Sequence, residues 1–306
     1  MAAAEPQRAP ITVIGSANAD YVMRVAELPA AGETVLGRDF DIYRGGKGAN
    51  QAVACARLGA RTRFVGCVGD DAAGRDARAA MIADGIDCMH LYNSDTHTGT
   101  ALIFVNDAGE NSIGVASGAN ARLSVERIET IAPMIADSAW LLMQLETPVD
   151  SVVAAATIAH DAGVPVALNP APAGRPLPPS IWSRLSIVTP NETELATLTD
   201  HSVATEQDIV TAANRLREFG ADTVIVTMGS AGAMIVSNSG VEKVSTETVT
   251  AVDTVGAGDT FNGALLVALS ERQSLPDAVR FANAAAAIAV TRRGAQSAIP
   301  YRHELS

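Results

Sequence analysis

Short apolar runs alternate along the chain with stretches whose apolar residues recur every third or fourth position, a rhythm that predicts strands and helices in turn. Strands are predicted over 11–15, 62–68, 140–145, 164–168, 186–189 and 223–226. Between them, helices are predicted over 124–135, 149–162, 191–198 and 205–219. Another helix opens in 44–51 and stops at Leu58-Gly59, and one over 76–83 is ended by Gly85. A hairpin follows, 233–236 and 241–245 about a turn at 237–240, and two helices near 259–270 and 275–291 finish the chain. Strand, helix, strand in this order implies an α/β fold: a doubly wound, mostly parallel sheet flanked by helices.

One region breaks the alternation. Residues 86–92, 98–106 and 111–116 read as consecutive strands with no helix between them, the last two joined by a turn at 107–110. Residues 34–43 partly alternate as well, through Val35, Phe40 and Ile42. Together these strands are expected to form a small antiparallel β lid. The division expected is a lid at 34–43 and 92–116 and a main domain of 11–33, 44–91 and 117–306. Residues 1–10 are alanine-rich and polar, lack the apolar segment of a signal peptide, and read as a disordered tail.

Composition narrows the class. With 306 residues, 48% hydrophobic and 18% charged, the chain can bury a large core. Its net charge of −12 argues against nucleic acid or an anionic membrane as partner, so any phosphate must be held by local amides and a few bases. The three cysteines, Cys55, Cys67 and Cys88, form no C-x-x-C, which fits a reducing, cytoplasmic setting. The five histidines show no metal-ligand spacing, and no apolar run reaches membrane-spanning length.

The strongest chemical signal is the run from Asp253 to Gly263, in which Gly256, Ala257 and Gly258 form a tight turn feeding a helix that carries Asp259 in its first turn. Unpaired amides and the helix dipole make such a turn an anion site, and the adjacent carboxylate can touch whatever attacks a bound phosphate. Plain backbone packing and the general preference for Asp in a first turn are the alternative reading. Asn18 and Asp20 follow the first strand, where hydroxyl binders and Asx-turns are both found. The Gly45-Gly46-Lys47-Gly48 segment is not a Walker A loop, since Asp41 stands five before Gly46; its glycines allow close approach to a ligand, and Lys47 and Asn50 offer donors. Glu146, Asn169, 191–194 and 227–232 also follow strands on one edge of the sheet, where doubly wound folds bind ligands. For Asn169 a turn or cap role is the expectation.

Taken together, Gly15-Ser16-x-Asn18-x-Asp20, Gly45 to Ala52, Met143 to Glu146, Ala167 to Pro172, Thr189 to Glu194, Asp253 to Phe261 and the tail Ala287 to Arg292 resemble the ribokinase family of carbohydrate kinases, over about 11–300. The resemblance implies ATP-dependent phosphorylation of the 5-hydroxyl of D-ribose, giving D-ribose 5-phosphate and ADP. It implies Asp259 as base and Gly256, Ala257 and Gly258 as the anion hole. Asn18, Ala19, Asp20, Gly46, Lys47, Gly48, Ala49, Asn50 and Glu146, with Asp259, are the implied sugar site. Asn191, Glu194, Thr227, Met228, Gly229, Ser230, Ala231, Gly232, Gly258 and Asn283 are the implied nucleotide side, Glu194 acting through the hydration shell of Mg²⁺. A K⁺ site is implied at Asp253 and the carbonyls of Val255, Ala289, Arg292 and Gly294; Ala298 stands where these enzymes often have serine. A homodimer through edge-to-edge pairing of the lids is also implied, and it answers the problem of an exposed strand edge. The competing readings are a kinase of the same family for deoxyribose, fructose or adenosine, and a catalytically silent sugar-binding homologue. A dinucleotide-dependent oxidoreductase is excluded, because no G-x-G-x-x-G follows the first strand.

Overall fold

From its amino end the chain runs through β1 (Ile11–Ile14), β2 (Asn18–Arg24), β3 (Asp39–Gly45), α1 (Lys47–Arg57), β4 (Thr62–Gly69) and α2 (Ala72–Ala83). It continues through β5 (Leu91–Ser94), β6 (Gly99–Val105), β7 (Asn111–Ala116), α3 (Val125–Thr130), α4 (Ala132–Ala136) and β8 (Trp140–Met143). Then come α5 (Val149–Asp161), β9 (Val166–Leu168), β10 (Ile187–Val188), α6 (Glu192–Thr199), α7 (Glu206–Glu218) and β11 (Thr223–Thr227). β12 (Ala233–Ser237), β13 (Gly240–Val244), α8 (Ala257–Ser270) and α9 (Leu275–Ala289) complete it. The computed structural model describes residues 9–305, so residues 1–8 of the expected tail lie outside the described residues. Pro10, assigned to that tail, is instead buried, and its carbonyl accepts the Ala139 amide at 2.8 Å.

The main sheet has nine strands in the order β13-β12-β11-β10-β9-β8-β1-β4-β5. It is parallel from β11 to β5 and antiparallel only at the β12–β13 edge. β1 is buried throughout because helices cover both of its faces, and its one polar residue, Thr12, is hydrogen-bonded to Ser138 Oγ at 2.7 Å. Its alternation divides the core: Ile11 and Val13 pack among residues of α1, α8 and α9, and Ile14 among residues of α3 and α5.

The second sheet has four strands in the order β3-β2-β6-β7, and here the sequence reading needs correcting. Residues 18–24, expected in the main domain, are instead the strand β2, which pairs antiparallel with β3 and parallel with β6 at the centre of the lid. The 86–92 stretch is not a lid strand: β5 begins at Leu91 and runs parallel to β4 in the main sheet. Helix α2 lies between those two strands, so they form a βαβ unit whose crossover returns the chain to the same sheet. α2 itself begins before residue 76 because Asp71 caps it, accepting the Gly74 amide at 2.8 Å. The expected helix over 124–135 is two helices divided at Ile131, with Pro133 in the first turn of the second.

Two close approaches fix the elements that carry the site. A β-carbon at Gly48 would lie 2.6 Å from Ser16 N and 2.7 Å from Gly15 Cα, so the start of α1 rests directly on the β1–β2 turn. One at Gly263 would lie 2.5 Å from Ala54 Cβ and 2.9 Å from Gln51 O, so α1 and α8 touch backbone to backbone.

Candidate active site

A cleft of about 860 Å³ opens between the lid and the carboxyl ends of the parallel strands, where a doubly wound sheet places its ligands. β2 brings Asn18 and Asp20 to it, α1 brings Lys47 and Asn50, the segment after β8 brings Glu146, and the start of α8 brings Gly256, Gly258 and Asp259.

Asp259 is 7% exposed, and each of its carboxylate oxygens is held by an amide. Asn50 Nδ2 donates to Oδ2 at 2.8 Å, and Gln51 Nε2 donates to Oδ1 at 2.9 Å. Burial pushes this carboxyl above the usual range, while Lys47 and the two amide donors pull it back. Asn50, which lines the cleft, has its Oδ1 buried without a donor among the described residues.

Glu146 ties the turn after β1 to α1. Its Oε2 accepts from Ser16 Oγ at 2.5 Å and from the Lys47 backbone amide at 3.0 Å, the second bond at a helix start that favours an anion. Asn18 Oδ1 accepts from Asn120 Nδ2 at 2.7 Å, which turns the Asn18 amide nitrogen to the cleft as a donor. Asp20 lies flat over Gly45, where a β-carbon would come within 2.0 Å of its Oδ2; any larger residue there would expel the carboxylate. Burial raises Asp20 to about 7, assisted by repulsion from Glu146 and Asp259 and opposed by Lys47. Its ordinary value is 3.8, so in the ligand-free protein this group opposes folding increasingly as pH rises between the two values. For Lys47, burial favours the neutral amine, but Asp259, Glu146, Glu194 and Asp20 together outweigh it and keep an ammonium in the cleft.

At the start of α8, Gly256 is left-handed (φ 75°), and the first intrahelical bond is Thr260 N to Gly256 O at 2.8 Å. The amides before it precede the helical ladder, yet the Ala257 N–H already donates to Thr254 O at 3.3 Å. Gly256 and Gly258 line the cleft and Ala257 does not.

The remaining candidates are not all at the cleft. Ala19, Gly48 and Ala49 are absent from its wall: Ala19 is on the opposite face of β2, and the other two amides bond to Ser16. Asn191 and Glu194 do line it, while also capping α6 reciprocally, Asn191 N to Glu194 Oε2 at 2.9 Å and Glu194 N to Asn191 Oδ1 at 2.8 Å. Burial raises the Glu194 carboxyl. Of the segment after β11, Thr227 reaches the cleft, Met228 is buried, Gly229, Ser230 and Ala231 are exposed, and Gly232 packs on the carbonyl of Val244. The Asn283 side chain donates to Val244 O at 3.1 Å and Ser245 O at 3.3 Å, tying the end of β13 to α9 away from the cleft. Asp253 joins two loops, accepting from Val255 N at 3.0 Å and Gly294 N at 2.9 Å; all three residues line the cleft. Ala289, Arg292 and Ala298 lie behind it, Arg292 paired with Glu304 and Ala298 buried.

Sequence reasoning did not single out Ser16, Gln51, Asn120, Thr189 or Asn262. Asn169 sits in a tight turn, its carbonyl accepting from Ala171 N at 2.8 Å, and its side chain does more: Nδ2 donates to Thr189 O at 3.0 Å while Oδ1 accepts from Gln51 Nε2 at 3.1 Å. The available signal was a pair of polar residues, Asn50 and Gln51, at the head of the small, apolar buried stretch of α1.

Residues 8–302 match the pfkB family of carbohydrate kinases. The chain is 47% identical over 298 residues to the ribokinase of Haemophilus influenzae, covering 97% of each. It is 37% identical to the deoxyribokinase of Salmonella typhi, covering 95% of each. Among solved structures, the Arabidopsis thaliana ribokinase complexed with ribose and ATP matches with a TM-score of 0.90 and 33% identity, covering 97% of each chain.

Proposed function

This chain belongs to the pfkB family of carbohydrate kinases, and on that premise we propose that it transfers the γ-phosphoryl group of ATP to the 5-hydroxyl of D-ribose, giving D-ribose 5-phosphate and ADP. The observation that carries this reading is Asp259: a buried carboxylate, held on both oxygens, sharing one cleft with a cluster of hydroxyl-binding groups and an open helix start. Asn18, Asp20, Gly46, Lys47, Asn50 and Glu146 hold the sugar hydroxyls, the carboxylates accepting and the amides and ammonium donating. Asp259 orients the 5-hydroxyl and takes its proton, late in a loose transition state. The helix start at Gly256 and Gly258 faces the phosphoryl group as its charge redistributes.

The residues present fit both ions that the resemblance implies. Glu194 has one oxygen committed to the α6 cap, and its other oxygen suits a hydrated Mg²⁺. Asp253 draws the Val255 and Gly294 loops together by accepting from both amides, and with the carbonyls of Val255, Ala289, Arg292 and Gly294 it would offer K⁺ an all-oxygen set with one formal charge; Ala298 adds no side-chain oxygen. When bound, the two cations neutralise charge on the transferring phosphate.

Coupled ADP release across a panel of pentoses and hexoses, with and without K⁺, tests the reading. We expect ribose to have the highest kcat/KM, 2-deoxyribose to be about 10²-fold or more poorer because a buried partner group is left unpaired, and K⁺ to raise the rate. Preference for 2-deoxyribose, the substrate named for the Salmonella typhi relative, overturns the substrate assignment.

The lid supports a homodimer. Phe40, Ile42 and Leu102 on the face turned from the cleft, and Ile113 and Val115 at the edge strand of the cleft-facing side, are each more than half exposed, so apolar surface meets the lid edge where a second lid can pair. Sedimentation equilibrium should give a dimer that Ile113→Lys weakens. A wild-type monomer at micromolar concentration rules the dimer out.

A further inference from the structure

Behind the base runs a chain of buried side-chain amides, Asn169 at the cleft wall and Gln51 and Gln144 outside it, that no role assigned above uses. Gln51 is fully buried in α1, with its Nε2 between Asp259 Oδ1 (2.9 Å) and Asn169 Oδ1 (3.1 Å). Its Oε1 accepts from Nε2 of Gln144, itself buried.

The polarity of this chain is set at one end by the main chain. Thr189 O can only accept, so Asn169 must present its Nδ2 there, at 3.0 Å, and its Oδ1 to Gln51. Gln51 must then present its nitrogen to Asn169, and the same nitrogen meets Asp259, while Gln144 satisfies the oxygen behind it. A flipped Gln51 amide would set its oxygen against both Asn169 Oδ1 and a carboxylate. Donor orientation toward the base is therefore enforced from a backbone carbonyl two side chains away.

On the reading of Asp259 as the base, we infer that Gln51 is a positioning residue for it: anchored through Asn169 and Gln144, it fixes the plane of the Asp259 carboxylate from the side that substrate never touches. Asn50 holds the other oxygen from within the cleft, so the two neighbouring residues of α1 clamp the carboxylate, one exposed to the sugar and one not. The close contact of Gly263 with Ala54 and Gln51 O keeps α1 at the distance this requires. The charged groups that face Asp259 are Lys47 from α1, Asp20 from β2, Glu146 after β8 and Glu194 from α6, so a change at Gln51 is read against them as a constant background.

The test uses Gln51→Leu and Gln51→Glu, with kcat and KM followed across pH and the Asp259 carboxyl titrated by infrared difference against Asp259→Asn. For Gln51→Leu we expect kcat to fall about 10–100-fold with KM for ribose within a few-fold of wild type, since misplacement of a reacting group on the order of 1 Å costs about 10². Loss of a donor to the charged form raises the Asp259 carboxyl, so the acid limb of kcat moves to higher pH; Gln51→Glu moves it further, because two adjacent carboxyls resist joint ionisation. Movement of both the infrared titration and the kinetic limb supports the inference. If the titration moves and the limb does not, the clamp stands and the assignment of Asp259 as base falls. An unmoved titration in folded variants, or a change in KM alone, overturns the inference.

Discussion

Asp259→Asn should lower kcat on the order of 10²–10⁴-fold while leaving the sugar KM within a few-fold. The amide keeps the shape of the carboxylate, and Asn50 and Gln51 still surround it, but it cannot accept the proton of the attacking hydroxyl. The pH profile sharpens the expectation. Burial raises the Asp259 carboxyl and a base must be ionised, so wild-type activity is lost as pH falls through a value above the ordinary carboxylate range. The residual activity of the variant should lack that limb. Steady-state ADP release at several pH values measures both; full turnover by Asp259→Asn contradicts the base assignment, and no sugar-dependent ADP release by the wild type would revive the silent sugar-binding homologue.

Lys47→Met should have the next largest effect, and of a different kind. Lys47 is the ammonium among Asp20, Glu146, Asp259 and Glu194. Removing it costs a charge-assisted bond to a sugar hydroxyl and leaves those carboxyls without their shared counter-charge, so kcat/KM for ribose should drop about 10²-fold or more. Lys47 holds down both Asp20 and Asp259, so its loss moves both carboxyls upward and the acid limb toward higher pH. Ribose binding by calorimetry separates the affinity loss from the kinetic one. Unchanged affinity together with an unmoved limb would remove Lys47 from the site.

These effects trace to a cleft of which the sequence disclosed the cleft side but not the buried side. Asp259, Lys47, Glu146 and the glycine turn stand out because each is a charged or conformationally special residue at the end of a regular element. Gln51, Thr189 and Asn262 received no role of their own, and Asn169 only that of a turn or cap, because uncharged polar residues inside an apolar helix or after a short strand have local explanations that suffice. Only their meeting in space, as in the bond from Thr189 Oγ1 to Asn262 Oδ1 at 2.6 Å, gives them a common purpose. On the nucleotide side, Asn283, placed by resemblance near the adenine, has a structural task the sequence does not show: its amide secures the end of β13.

Strand and helix periods, the sharp bend at Gly256 and the class of parallel sheet were readable from residues alone, because they depend on neighbours within a few positions along the chain. Which strands joined the lid was not. The β2 segment reads as part of the main domain and the 86–92 stretch as a lid strand, and their sheets are assigned by partners distant in sequence: Gly99 to Val105 for one, Gly66 to Gly69 for the other. The same holds for charge. Asp20 and Asp259 are ordinary acids in the sequence, and their raised proton affinities exist only because folding removes water from four carboxylates and one ammonium that stand far apart along the chain. Local periodicity thus chose the elements, while desolvation and long-range pairing decided which side chains meet and what chemistry their meeting allows.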